Sequence, residues 1–194
     1  MEKTGLNIRV ADSRDAPELL KIYAPYVKQT AITFEYKIPS LQEFADRIEK
    51  TLKSYPYLTA ELDGEIVGYA YAGSFHERAA YRWAVETSLY IAGEHKRRGI
   101  GRALYLKLEE ILAFQHIVNL NACIACPQQV DPYLTRDSID FHRQMGFRLV
   151  GEFHQCGYKF GRWYNMVWME KQIGAHLAQP PPVRPFEEIK DRFL

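Results

Sequence analysis

The sequence predicts a single mixed α/β domain built around one central sheet, and three observations carry that reading. The chain has 194 residues, 47 % apolar and 25 % charged, which suits one substantial core. Its hydrophobic pattern switches repeatedly between period 2 and period 3.6. Turn and cap signals separate these stretches without any internal repeat. The element order that results is β-α-α-β-β-β-α-β-α-β-β.

Each element has a local reason. Residues 7–11 alternate as a short strand, and the polar run Asp12-Ser13-Arg14-Asp15 supplies capping side chains. Leu19, Leu20, Tyr23 and Val27 then recur at helical spacing. Ser40 and Glu43 form a capping box, followed by the stripe Phe44, Ile48 and Leu52. Residues 57–62 and 65–73 read as a hairpin closed by Asp63-Gly64. A polar loop over 74–82 leads into a β-rich run over 83–91. A basic, glycine-bearing loop over 93–101 precedes a helix over 102–115, with Leu104, Leu108, Ile111 and Leu112 on one face. Residues 118–125 form a strand, 127–135 are irregular, and 138–145 form a short helix stopped by Gly146. Strands over 147–153 and 163–170 complete the sheet. The proline-rich run Gln179-Pro180-Pro181-Pro182-Val183-Arg184-Pro185 fits no regular helix or central strand. By composition it is either an extended layer over the surface or a partner, or a disordered tail.

Composition narrows the function. The net charge is +1, so no nucleic-acid or membrane surface is expected. No window approaches the roughly 18 apolar residues of a membrane span. Residues 1–5 are polar and lack a signal-peptide core. The three cysteines, Cys123, Cys126 and Cys156, are then expected as free thiols in a reducing, cytoplasmic setting. Cys123 and Cys126 form a C-x-x-C at a strand end, without a second ligand pair at zinc spacing, so buried and quiet thiols and no metal are expected.

The most informative segment joins Leu89-Tyr90-Ile91 to Lys96-Arg97-Arg98-Gly99-Ile100-Gly101. A strand enters the loop and a helix leaves it. The first amides of a helix lack internal partners and lie at its positive end. Glycines without Cβ let that backbone approach an anion, which suits pyrophosphate. A Rossmann fingerprint would want a third glycine where Leu104 stands, and the Walker Gly-Lys-Ser/Thr is absent. On spacing alone, a solvated turn before a helix stays open.

The run Lys96-Arg97-Arg98-Gly99-Ile100-Gly101 resembles the Gln/Arg-x-x-Gly-x-Gly/Ala motif of the GNAT acetyltransferase superfamily, with Lys96 where Gln or Arg is usual. Ala31-Ile32-Thr33-Phe34-Glu35, the run from Ala80 through Trp83 to Ser88, Gly157-Tyr158-Lys159-Phe160-Gly161-Arg162-Trp163 and the tail Pro180-Pro181-Pro182 resemble the phosphinothricin N-acetyltransferases and the closely similar methionine sulfoximine/sulfone acetyltransferases. The resemblance implies a GNAT acyl-CoA N-acyltransferase fold: a mostly antiparallel sheet with one parallel pair splayed where acetyl-CoA inserts. It implies a catalytic domain over 1–173 with a proline-rich tail over 174–194, and a homodimer. The implied reaction is acetyl transfer from acetyl-CoA to the primary amine of a small amino-acid-like substrate. Another small amine, a peptide N-terminus, or a CoA-binding sensor without turnover are the competing readings.

Residue by residue, the resemblance assigns catalysis to Glu86, whose apolar neighbours would raise its pKa toward that of a general base. His142 stands where many relatives carry a tyrosine acid. Cofactor contacts are implied for Leu89, Tyr90, Ile91, Arg97, Arg98, Gly99, Ile100, Gly101, Arg102, Thr135 and Ser138. Thr135 replaces a usual asparagine. Acceptor contacts are implied for Phe34, Phe75, His76, Glu77, Arg78, Tyr81, Glu86, Thr87 and Ser88, with Arg78 suited to a carboxylate. Glu35 closes the pocket in this reading, and Lys159, Arg162 and Trp163 contribute from the last strands, within the chain or across a dimer.

Overall fold

The computed structural model describes residues 5–194. The polar segment 1–4, part of the stretch read as lacking an export signal, lies outside the described residues. Among the described residues, seven strands form one sheet in the order β1-β2-β3-β4-β5-β7-β6. They are β1 (Leu6–Val10), β2 (Tyr57–Leu62), β3 (Glu65–Ser74), β4 (Ala84–Ile91), β5 (Asn119–Cys126), β6 (Arg148–Lys159) and β7 (Arg162–Gln172). The helices are α1 (Ala16–Gln29), α2 (Leu41–Ser54), α3 (Ile100–Phe114) and α4 (Asp137–Gln144). Order and type agree with the sequence reading throughout.

Every neighbouring pair is antiparallel except β4 and β5. Those two are parallel and pair only at Ala84–Asn119, Val85–Leu120 and Glu86–Asn121. Past Glu86 they part, so the half-strands 87–91 and 122–126 leave a seam inside the sheet. Alternation assigns the two faces. Tyr57, Tyr69, Tyr71 and Tyr90 pack toward α1 and α2. Leu58, Ala60, Ala70, Ala72 and Val85 pack toward α3 with Leu104, Leu108 and Leu112. The short alanine side chains let α3 lie close to the strands.

Several boundaries differ from the expectation, each for a physical reason. Helix α3 begins at Ile100 rather than at residue 102, because Gly99 has already turned the chain at φ 81° and its carbonyl accepts from the Ala103 amide at 3.0 Å. Strand β6 continues to Lys159 instead of ending at 153. Register shifts at Leu149/Gly151 and Phe153/Gly157 break its alternation and hide it from a period-2 reading. Only half of the Ser40 capping box forms. Ser40 Oγ accepts from the Glu43 amide at 3.1 Å, while the Glu43 carboxylate turns to Arg47 at 2.7 Å. The reciprocal box forms instead between Asp12 and Asp15.

The tail lies on α2 and α3. Phe186 is fully buried and Ile189 nearly so, within the cluster that holds α3 against the sheet. Prolines cannot donate, so the tail is tied mostly through its carbonyls, with the Arg184 amide donating to Gln115 O at 3.1 Å. Trp83 Nε1 donates to Pro181 O at 2.8 Å, His116 Nδ1 to Pro182 O at 2.8 Å, and Gln115 Nε2 to Arg184 O at 2.6 Å.

Candidate active site

The glycine loop sits where the seam opens. Lys96 lies over the Tyr26 ring at 4.8 Å, and Tyr26 donates to the Ile91 carbonyl, which anchors the loop to the end of β4. Arg97 adopts φ 61°, a left-handed conformation unusual outside glycine, and reaches Asp137 at 3.2 Å. Arg98 points to His95, and Arg102 is exposed on the first turn of α3. Ile100 is buried and pins that turn. Gly101 has Leu89 Cδ2 3.1 Å from where a Cβ would stand, so a side chain there would crowd the end of the seam. The first intrahelical bond of α3 starts at the Ala103 amide. The amides ahead of it are therefore free for an anion at the positive helix end.

The seam itself is a narrow cleft of about 60 Å³ lined by Thr87, Ser88, Leu89 and Tyr90 on one side and by Ala122, Cys123, Ile124 and Ala125 on the other. Ile32, Leu134, Ser138 and His142 close it. Side chains seal its apex, where the strands part. Asn121 Nδ2 donates to Val85 O at 3.1 Å, and Thr87 Oγ1 lies 3.2 Å from Asn121 O. Main-chain groups beyond that point have no strand partner across the seam, which fits an amide-bearing pantetheine arm.

Glu86 is the last β4 residue paired with β5. Its side chain shares a face with Ser88, Tyr90 and Tyr71, the side away from α3. It is half-buried, and loss of hydration raises its pKa above 4.5. Burial, and next the field of Glu86, push the Cys123 thiol up to about 12. Of the C-x-x-C thiols, Cys126 is buried as expected, whereas Cys123, packed on its inner side, keeps part of its surface open in the cleft, which corrects the expectation there; Cys156 is exposed. Cys123 is nonetheless held as a neutral thiol. Among the described residues no three His, Cys, Asp or Glu side chains gather as a metal site.

The loop after β3 brings its aromatic residues together over this face. Phe75 packs edge-on against Trp168 at 5.5 Å and Tyr81 at 5.9 Å, and His76 stacks on Tyr81 at 5.2 Å. Trp168 pairs with Cys123 across β5 and β7. Glu77 and Arg78 are exposed on the same loop. A second wall comes from residues 31–36. Phe34 lies so close to Gly157 that a Cβ there would stand 2.2 Å from its ring. Lys159 Nζ donates to Thr33 O at 2.7 Å, and Arg162 pairs with Asp131 at 2.9 Å. Both contacts are within one chain. Trp163 is exposed.

Other expected residues are placed apart from the acceptor face. Thr87 points to the opposite side, toward α3, with its hydroxyl spent on buried partners. Thr135 is exposed and accepts from the Asp137 amide at 3.3 Å. His142 is buried, and lost hydration drops its pKa to about 4, the bond to the Ser138 carbonyl acting in the opposite sense. Both ring nitrogens have protein partners: Nδ1 lies 2.7 Å from Ser138 O and Nε2 2.7 Å from Tyr105 Oη. No N–H of this ring is left over for a leaving thiolate, so the expected acid role lacks its donor. Sequence reasoning missed Tyr105, Asn121 and the Glu35–Arg47 pair at 2.8 Å. Tyr105 and Asn121 read as ordinary helix and strand interior, and nothing in their spacing marked them.

A mixed sheet opened between its single parallel pair, with a glycine loop and helix N-terminus at the opening, defines an acyltransferase that uses an acyl-CoA. Comparison with known proteins makes the class specific. Residues 8–168 match the acetyltransferase (GNAT) domain family. The chain is 32 % identical over 188 residues to the phosphinothricin N-acetyltransferase of Streptomyces viridochromogenes, covering 97 % of this chain and 98 % of that one. It is 29 % identical over 176 residues to the L-methionine sulfoximine/L-methionine sulfone acetyltransferase of Salmonella typhimurium, covering 89 % and 98 %. Its structure superposes with a TM-score of 0.84 on a phosphinothricin acetyltransferase of Sinorhizobium meliloti solved in complex with acetyl-CoA, at 32 % identity over 94 % of this chain and 97 % of that one. The chain belongs to the GNAT acetyltransferase family and is an acetyltransferase, with acetyl-CoA as its co-substrate.

Proposed function

We propose that the protein transfers acetyl from acetyl-CoA to the primary amine of a small amino-acid-like substrate of the phosphinothricin or methionine sulfoximine type. The observation that carries this reading is Glu86, a desolvated carboxylate at the apex of the seam, facing the aromatic and cationic acceptor loop. The names of the relatives point to the same substrate class.

In this reading Glu86 takes a proton from the substrate ammonium, directly or through water. The freed amine nitrogen bonds to the acetyl carbon, the C–S bond breaks, the nitrogen gives up its second proton as the amide forms, and the departing thiolate takes up a proton. No bond to a protein side chain forms, and the raised pKa of Cys123 disfavours an acyl-cysteine. The glycine loop and first turn of α3 hold the pyrophosphate, through Arg97, Arg98, Gly99, Ile100, Gly101 and Arg102. Leu89, Tyr90 and Ile91 present backbone groups to the arm, with Ser138 and Thr135 on α4 and just before it. Holding both reactants in attack geometry supplies several kcal/mol, about 7–11 at best. Phe34, Phe75, His76, Glu77, Arg78, Tyr81 and Ser88 surround the acceptor, with Arg78 as carboxylate partner.

Residues 1–173 form the catalytic domain in this proposal, and 174–194 brace it. The protein works as a cytoplasmic homodimer. Support for a second copy comes from β6, an edge strand with Leu149, Val150 and Phe153 exposed. In the structure, no helix among the described residues is long and apolar enough to cross a membrane.

The test is thiol release from acetyl-CoA against amino acids, methionine sulfoximine, methionine sulfone, phosphinothricin, polyamines and short peptides. Turnover is expected with the glutamate- and methionine-like compounds. Turnover confined to peptides would transfer the site to N-terminal acetylation. Silence with acetyl-CoA still bound would leave a sensor.

A further inference from the structure

A buried hydrogen-bonded chain runs behind the cleft on the α3 side, and its proton positions follow from donor counting. Ser138 O can only accept, so His142 Nδ1, 2.7 Å away, carries the ring proton. Desolvation keeps the imidazole neutral, so it has a single N–H and Nε2 is an acceptor. The Tyr105 hydroxyl, 2.7 Å from Nε2, must then donate to it. With the Tyr105 proton on Nε2, Thr87 Oγ1, 3.1 Å from the same hydroxyl, joins the chain by donating to it, and Asn121 O, 3.2 Å away, is the competing acceptor for that one proton. Separately, Asn121 Nδ2 donates to Val85 O at 3.1 Å and ties β5 to β4 beside it. The chain thus links α4, α3 and, through Thr87, β4 at the apex of the seam. Tyr105 is its centre, fully buried, with its ring edge-on to Phe141 at 5.3 Å and to His142 at 5.4 Å.

We propose that Tyr105 is a positioning residue for acetyl transfer. It fixes the orientation of His142 on the cleft wall and, through Thr87, ties α4 to the strand that carries Glu86. The role rests on the acyl-transfer reading of the cleft. It makes His142 a neutral strut whose nitrogens are both engaged, and the thiolate is protonated from elsewhere. A loss of this link lets α4 and β4 move relative to one another, and misplacements of about 1 Å can cost up to 10²-fold in rate.

Tyr105→Phe keeps the ring and removes only the hydroxyl. In the free protein, ¹⁵N spectra of labelled histidine are expected to show His142 protonated at Nδ1, with Nε2 as a hydrogen-bonded acceptor. In Tyr105→Phe, Nε2 is expected to move to the position of an unbonded acceptor while Nδ1 stays protonated. With the amine that turns over best, kcat is expected to fall about tenfold or more, with the amine KM changed less than about twofold. Thr87→Val, which removes the next hydroxyl, is expected to lower kcat similarly, and the double variant by less than the product of the two. Wild-type kcat in Tyr105→Phe, multiplicative losses in the double variant, or Nε2 protonation in the native protein overturns the proposal. A protein that shows the spectral contrast and acetylates no amine overturns the acyl-transfer reading and, with it, the role in turnover, while the hydrogen-bond geometry stands.

Discussion

Glu86→Gln is expected to lower kcat by about 10²- to 10³-fold while acetyl-CoA binds as before, because glutamine keeps the shape of the side chain and cannot accept a proton. The seam and the glycine loop, which hold the co-substrate in the proposed function, lie beyond Glu86 on β4 and in α3 and are untouched. The pH profile makes the test specific. Burial raises the Glu86 pKa above 4.5, and the residue works as a base only when ionised. Wild-type kcat/KM should therefore fall as pH drops through that raised value and be level above it, until other groups titrate. In Glu86→Gln this acidic limb should vanish. Steady-state rates from pH 5 to 9, with calorimetric titration of acetyl-CoA, decide the matter. A variant that keeps the wild-type limb would remove Glu86 from the base role.

Phe186→Ala is expected to cost about 3–5 kcal/mol of stability, as large as any single core truncation. The ring is fully buried among residues that hold α3 on the sheet, and removing it leaves a cavity that the proline-stiffened chain before it cannot readily collapse into. Urea unfolding should show the midpoint falling with little change in slope, and thermal unfolding a drop on the order of 10 °C. A loss under about 1 kcal/mol would mean that the tail leaves the domain in solution. Arg184→Ala, at an exposed position stacked 4.9 Å from Phe114, is the matched control and should cost far less.

The part of this molecule that was legible in the sequence is the part governed by short-range patterning. Strand and helix periodicities, Asp63-Gly64, Gly146 and the loop from Lys96 to Gly101 each carry their structural reason within a few residues. What escaped depends on contacts between distant segments. Tyr105 looks like one more apolar position on a helix, and only the arrival of α4 and β4 gives its hydroxyl two partners. The tail was ambiguous because proline-rich composition says what the backbone cannot do, and the burial of Phe186 depends on α2 and α3. The extension of β6 was hidden by its own bulges. His142 was expected as an acid from its place in the family resemblance, and only its surroundings show a ring that is neutral and fully engaged.

The three-rung ladder between β4 and β5 has a consequence for how mutational data on this protein should be read. Past the last rung, the open groups that face one another belong to the peptide backbone, and every side-chain substitution preserves them. In co-substrate binding, an alanine scan of residues 87–91 and 122–126 should therefore report packing and little else. Co-substrate affinity should stay nearly flat across it, while backbone changes such as proline or an ester linkage should remove that affinity. Sequence drift along these strands is correspondingly cheap, so a protein of this kind can change its acceptor pocket while the grip on its donor persists.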